Sequence, residues 1–238
     1  MNQTFMKEKP VLSLVLAMSI PNVLSMLVNS MYNIVDSFFV AQISENAMTA
    51  LSLVFPIQNL ISAIGVGFGV GINAIIAFYL GAKDETNANT AASKGVLLSA
   101  IHGIILTIIS IMIMPKFLSF FTTNEEVISM GLKYSYVAFA FSISVNMGIA
   151  LEKVFQSVGR MKTTMFVLSA GCIANIILDP ILIFGLGPIP SMGIAGAALA
   201  TGIGQTLILI LYIIIYLAKP INVKLSTKFL KYKKNITA

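Results

Sequence analysis

Runs of about 20 apolar residues recur from one end of this chain to the other, and they constrain its fold more than any single motif. An α-helix rises about 1.5 Å per residue, so each run is long enough to cross a hydrocarbon core of about 30 Å. Of the 238 residues, 57% are hydrophobic and only 10% are charged, with a mean hydropathy of +0.92. A soluble domain keeps roughly a quarter of its residues charged. A transmembrane β-barrel is excluded as well, because its signature is strict alternation over segments of about ten residues. The chain therefore reads as an all-α, multi-pass membrane protein.

The apolar stretches predict six helices, over about 11–41, 50–80, 94–114, 127–155, 163–186 and 193–218. Turn and cap signals lie between them: GAKDETNANT, FTTNEE, GRMKTT and GLGPIPSMG. The opening MNQTFMKEKP leads into a run too long for a signal peptide and lacking a cleavage pattern, which predicts a retained first helix. The single cysteine, Cys172, has no partner for a disulfide. One His and one Cys far apart in sequence give no metal motif.

Lysine and arginine set the expected orientation. Lys7, Lys9, Lys83, Lys94, Lys153, Arg160, Lys162, Lys219, Lys224, Lys228, Lys231, Lys233 and Lys234 fall on one side, leaving Lys116 and Lys133 of the 15 basic residues on the other. Both termini are accordingly expected in the cytoplasm. The net charge of +6 then reflects topology. Residues 219–238 read as a basic cytoplasmic tail or linker that meets anionic lipid, with no nucleic-acid partner.

Charged groups inside spans are costly unless they face a partner or water. Asp36 and Asp179 are two such carboxylates, and no basic residue lies at comparable depth. Ser25, Asn29, Asn33 and Asp36 follow at helical spacing on one face, which predicts a stripe that looks into the protein. Tyr32 stands one turn before Asp36, with its hydroxyl in reach of the same cavity. In the fifth span Asn175 and Asp179 are one turn apart, and Pro180 removes a backbone donor and frees a carbonyl. Thr201 and Gln205 repeat the four-residue spacing in the sixth. Asn29, Gln58, Asn73 and Gln205 suit interhelical hydrogen bonding equally well. The glycines of GVGFGVGIN suit close helix packing, His102 at the start of the third span a structural role, and Glu152 beside Lys153 an interfacial ion pair. The two aspartates call for a cation or a proton.

The stretches YNIVDSFFVAQIS, YLGAKDETNANTAASKG, EKVFQSVGRMKTTM and NIILDPILIFGLG with GIAGAALAT resemble, in that order, the MATE family of multidrug and toxic compound extrusion transporters. The likeness is strongest to the N-terminal lobe of its prokaryotic branch. It implies a six-helix lobe (residues 1–218) in a bacterial-type cell membrane. The implied function is secondary active efflux of amphipathic organic cations by antiport with Na⁺ or H⁺, with no other cofactor. It implies a cation or proton site at Asp36, Asn175, Asp179 and Thr201, able to hold Na⁺. Tyr32, Asn33 and Asn29 belong to the surrounding network or substrate cavity. Family members have two such lobes, so residues 219–238 resemble an inter-lobe linker. The chain is then half of a transporter, a truncated product, or a lobe that dimerises. A lipid-linked precursor flippase of the same superfamily would want a cationic cavity. An intramembrane aspartyl protease would want a Gly-x-Gly-Asp motif, which neither aspartate has. No enzyme is expected.

Overall fold

The computed structural model describes residues 10–230. Lys7, Lys9, Lys231, Lys233 and Lys234, counted above for orientation, lie outside the described residues. The helices are α1 (Val11–Ala41), α2 (Glu45–Gly81), α3 (Glu85–Phe121), α4 (Glu125–Ala140), α5 (Ser142–Ser157), α6 (Met161–Phe184) and α7 (Ile194–Ala218), followed by a short 3₁₀ turn at Thr227–Leu230. Five of them are long and apolar enough to span a membrane, and the bent pair α4–α5 makes a sixth crossing.

Three expectations need correction. The second span begins at Glu45 rather than near 50, because Ser44 caps it by accepting from the Ala47 amide at 3.1 Å. The third begins at Glu85, so most of the expected loop is helix. Asp84 accepts from the Asn87 backbone at 3.0 Å and from its side chain at 2.7 Å, satisfying first-turn donors. At 37 residues α3 is about 55 Å long and projects beyond the hydrocarbon, where its polar turns carry no hydropathy signal. His102 therefore sits mid-helix instead of at a helix start, half-buried with its ring edge-on to Phe68 at 4.1 Å.

The fourth span is broken by 44° between α4 and α5, without proline or glycine at the bend. The Thr107 hydroxyl of α3 is shared between the Gly103 carbonyl of its own helix at 2.9 Å and the Phe139 carbonyl at 3.0 Å, an acceptor that a straight helix would use. Gly103 lets the Ile143 backbone approach, and the Phe141 ring lies over Gly202 of α7, where a Cβ would collide with it. The kink is thus built by a side chain entering the hydrogen-bond ladder. Pro180 does the opposite of breaking its helix, since α6 continues through it to Phe184.

Two apolar clusters fill the lobe. One, toward the α3–α4 connection, gathers Val40, Val54, Leu118, Tyr134 and Phe139. The other, toward the α5–α6 turn, gathers Ile76, Val154, Phe155, Tyr212 and Val223. Gly65 and Gly69 of α2 are buried against Asn146, Ile149 and Lys153, so the glycine-rich run serves packing there, whereas Gly67 and Gly71 face outward. Residues 219–230 dock on the bundle. Arg160 donates to the Lys219 and Pro220 carbonyls at 2.9 and 3.2 Å, Asn89 accepts from the Lys224 amide at 2.7 Å, and Ser93 accepts from the Ser226 amide at 3.1 Å. Ile221 and Val223 are buried beneath them.

Candidate cation site

α1 rests chiefly on α6, and α6 packs along α7, so three helices meet around one polar point. Asp36 enters from α1 and is 6% exposed; Asp179 and Asn175 enter from α6 at 0% and 2%. The Asn175 amide is shared between Asp179 Oδ1 and Thr201 Oγ1, both at 3.3 Å. These are long, slack bonds, and they leave three buried oxygens without any partner: Asp36 Oδ1, Asn175 Oδ1 and Asp179 Oδ2. No basic side chain pairs with either carboxylate among the described residues. With no basic partner, two buried carboxylates on packed helices disfavour each other's ionised form.

Buried polar atoms are ordinarily hydrogen-bonded, and an unmet one costs about 1–3 kcal/mol. Three such oxygens lie on two packed helices, and each can accept from a donor or a cation. Carboxylate, amide and hydroxyl oxygens are hard ligands, suited to a small alkali or alkaline-earth cation or to a proton, and poor for a soft metal.

Of the sequence-predicted residues, Asn175, Asp179 and Thr201 are joined by hydrogen bonds, and Asp36 is buried on α1, the helix that packs on α6. Tyr32 and Gln205 line a cavity of about 10 Å³ adjoining Asn175 and Thr201, on the scale of one water. Gly171, Cys172, Gly204 and Ile208 complete the lining. Asn29 and Asn33 do not join this cluster. Asn29 is exposed, and the Asn33 side chain is spent on the Asn29 carbonyl at 2.8 Å. The expected inward stripe therefore divides. Ser25 and Asp36 are buried, while Asn29 lies on the face of α1 that the lobe leaves open. A role for Gln205 was open in the sequence, where its spacing from Thr201 was the available signal. Cys172 carried none. Glu152 and Lys153 do pair, at 3.0 Å, each 14% exposed.

The chain matches the MatE family over residues 21–181. It is 31% identical over 196 residues to an FAD transporter of Shewanella oneidensis, covering 81% of this chain and 42% of that protein. To the multidrug export protein MepA of Staphylococcus haemolyticus it is 27% identical over 228 residues, covering 95% and 50%. A solved structure described as MATE in the bent conformation superposes with a TM-score of 0.86 at 25% identity, covering 93% of this chain and 49% of that one. The chain spans about half the length of the relatives it matches.

Proposed function

This chain belongs to the MatE family, a family of multi-pass membrane transporters and not of enzymes, and on that premise we propose that it forms one lobe of a secondary transporter that exports amphipathic organic cations in exchange for Na⁺ or H⁺. The observation that carries the reading is the set of three unpartnered buried oxygens on α1 and α6, beside the Thr201 hydroxyl of α7. A cation or proton bound there relieves the repulsion between Asp36 and Asp179. Its departure restores that repulsion, so occupancy biases the packing of α1 against α6 and α7.

A single lobe supplies one wall of a central cleft, and alternating access needs two bundles rocking against each other. The half-length coverage of the relatives supports a second six-helix lobe as partner. Residues 219–230 then begin the connection to it, with both ends of the lobe in the cytoplasm. An intramembrane protease has no support in this family membership. The test is drug efflux from energised vesicles carrying the full-length protein, with ethidium as the cationic cargo and FAD as the anionic one. Ethidium export that vanishes in Asp36→Asn supports the proposal; wild-type export by Asp36→Asn, or transport of FAD alone, refutes it. Residues 1–238 expressed by themselves are expected to insert in the membrane without exporting ethidium.

A further inference from the structure

Thr201, Gln205, Ile208 and Tyr212 follow at intervals of four, three and four residues, which is one continuous face of α7. The face starts at the oxygen cluster and runs toward the end of the bundle that carries Arg160, over about 16 Å. Its first step is the one-water cavity bounded by Tyr32 and Gln205. Its second is apolar. Ile208 is 4% exposed and lines the same cavity, with its side chain packed against the bare α-carbons of Gly171 and Gly148.

Beyond Ile208 the face turns polar again. Tyr212 is fully buried, yet its hydroxyl has no partner. Its ring stacks on Phe155 of α5 with centroids 5.4 Å apart, and Phe155 shares a helical face with Glu152 and Gln156. Glu152 Oε1 accepts from Lys153 at 3.0 Å and from Gln156 at 2.6 Å. This cluster stands apart from the Asp36–Asp179 site, and packing alone gives no reason to bury an unmet hydroxyl there.

We propose that Glu152, with Tyr212 and Gln156, is a second, transient station for the coupling cation, and that Ile208 is the apolar plug separating it from the Asp36–Asp179 site. The inference rests on the transport reading above and adds the route by which the ion leaves. An apolar constriction blocks ions by excluding water. The side chain of Ile208 fills the notches that Gly171 and Gly148 leave, so hydrocarbon and not a polar atom stands between the two polar clusters. Lys153 already satisfies Glu152, so an arriving cation must compete with the ammonium group and is held weakly, as a site that must also release requires.

The experiment uses the full-length protein in vesicles, with radioactive Na⁺ flux and an entrapped pH dye recorded in the absence of drug. Ile208→Ala is expected to raise the uncoupled flux of whichever ion drives export by roughly tenfold, and Ile208→Val by less. Adding Glu152→Gln to Ile208→Ala should return the flux to the wild-type level. Glu152→Gln alone should slow coupled export roughly tenfold, while the cation concentration that half-protects the protein from thermal unfolding stays at its wild-type value. No leak in either Ile208 variant, or a leak indifferent to Glu152, overturns the proposal. So does a Glu152→Gln variant whose protection midpoint is lost as in Asp36→Asn. If Asp36→Asn itself keeps wild-type protection, the carboxylate site fails first, and the two failures are told apart by that one variant.

Discussion

Removing the charge of Asp36 while keeping its shape is the sharpest test of the oxygen cluster. Asp36 Oδ1, Asn175 Oδ1 and Asp179 Oδ2 are buried with no hydrogen-bond partner among the described residues. At about 1–3 kcal/mol each, a bound cation returns at most about 3–9 kcal/mol, before the cost of stripping its water. A ligand present at about 100 times its Kd stabilises the folded state by about 2.7 kcal/mol, worth about 5–11 °C in melting temperature for a chain of this size. Purified wild-type protein in detergent should show that shift on titration with Na⁺ or on acidification, against a choline control. Asp36→Asn should lose nearly all of it, and Asp179→Asn likewise. Both variants should melt higher than cation-free wild type, because the repulsion between the two carboxylates is gone. The double variant should differ little from either single one, as expected of residues that share a ligand. A full wild-type shift in Asp36→Asn would refute the assignment and return that carboxylate to a structural role.

Gly196→Ala should abolish folding outright, because its Cβ would collide with the Leu182 carbonyl oxygen, which is backbone and cannot turn away; yield of monodisperse protein is the measure. Gly202→Ala should cost about 1–3 kcal/mol against the Phe141 ring and be rescued by Phe141→Ala, read as recovered melting temperature. Arg160→Gln removes two donors from the α7 end, about 1–3 kcal/mol of local stability, so trypsin should cut at Lys224 and Lys228 several-fold faster while the helices stay resistant. A cysteine at Thr123 should be labelled from outside intact cells and one at Thr86 should be silent. Both positions are exposed, unlike Asn89, which the Lys224 contact buries; the reverse labelling would invert the topology.

The membrane class, the number of crossings and the two buried aspartates were legible in the sequence, because hydrocarbon admits so few solutions. Every span must satisfy its backbone internally, and a carboxylate at that depth stands out against its neighbours. Asn175 and Thr201 were reachable through helical spacing and family likeness. What the sequence could not hold was anything decided by contact between distant helices. The bend at Phe141 depends on the Thr107 hydroxyl and on notches at Gly103 and Gly202, none of them local to the break. Asn29 shares its helical face with Asp36 in sequence, yet it lies open because α6 covers only part of that face. The basic stretch after Ala218 reads as a tail until Asn89, Ser93 and Arg160, more than 50 residues away, bind its backbone. Periodicity along one helix fixes which residues share a face. Only the packing of other helices fixes which part of that face is covered, and therefore which polar atoms are left in need of a partner.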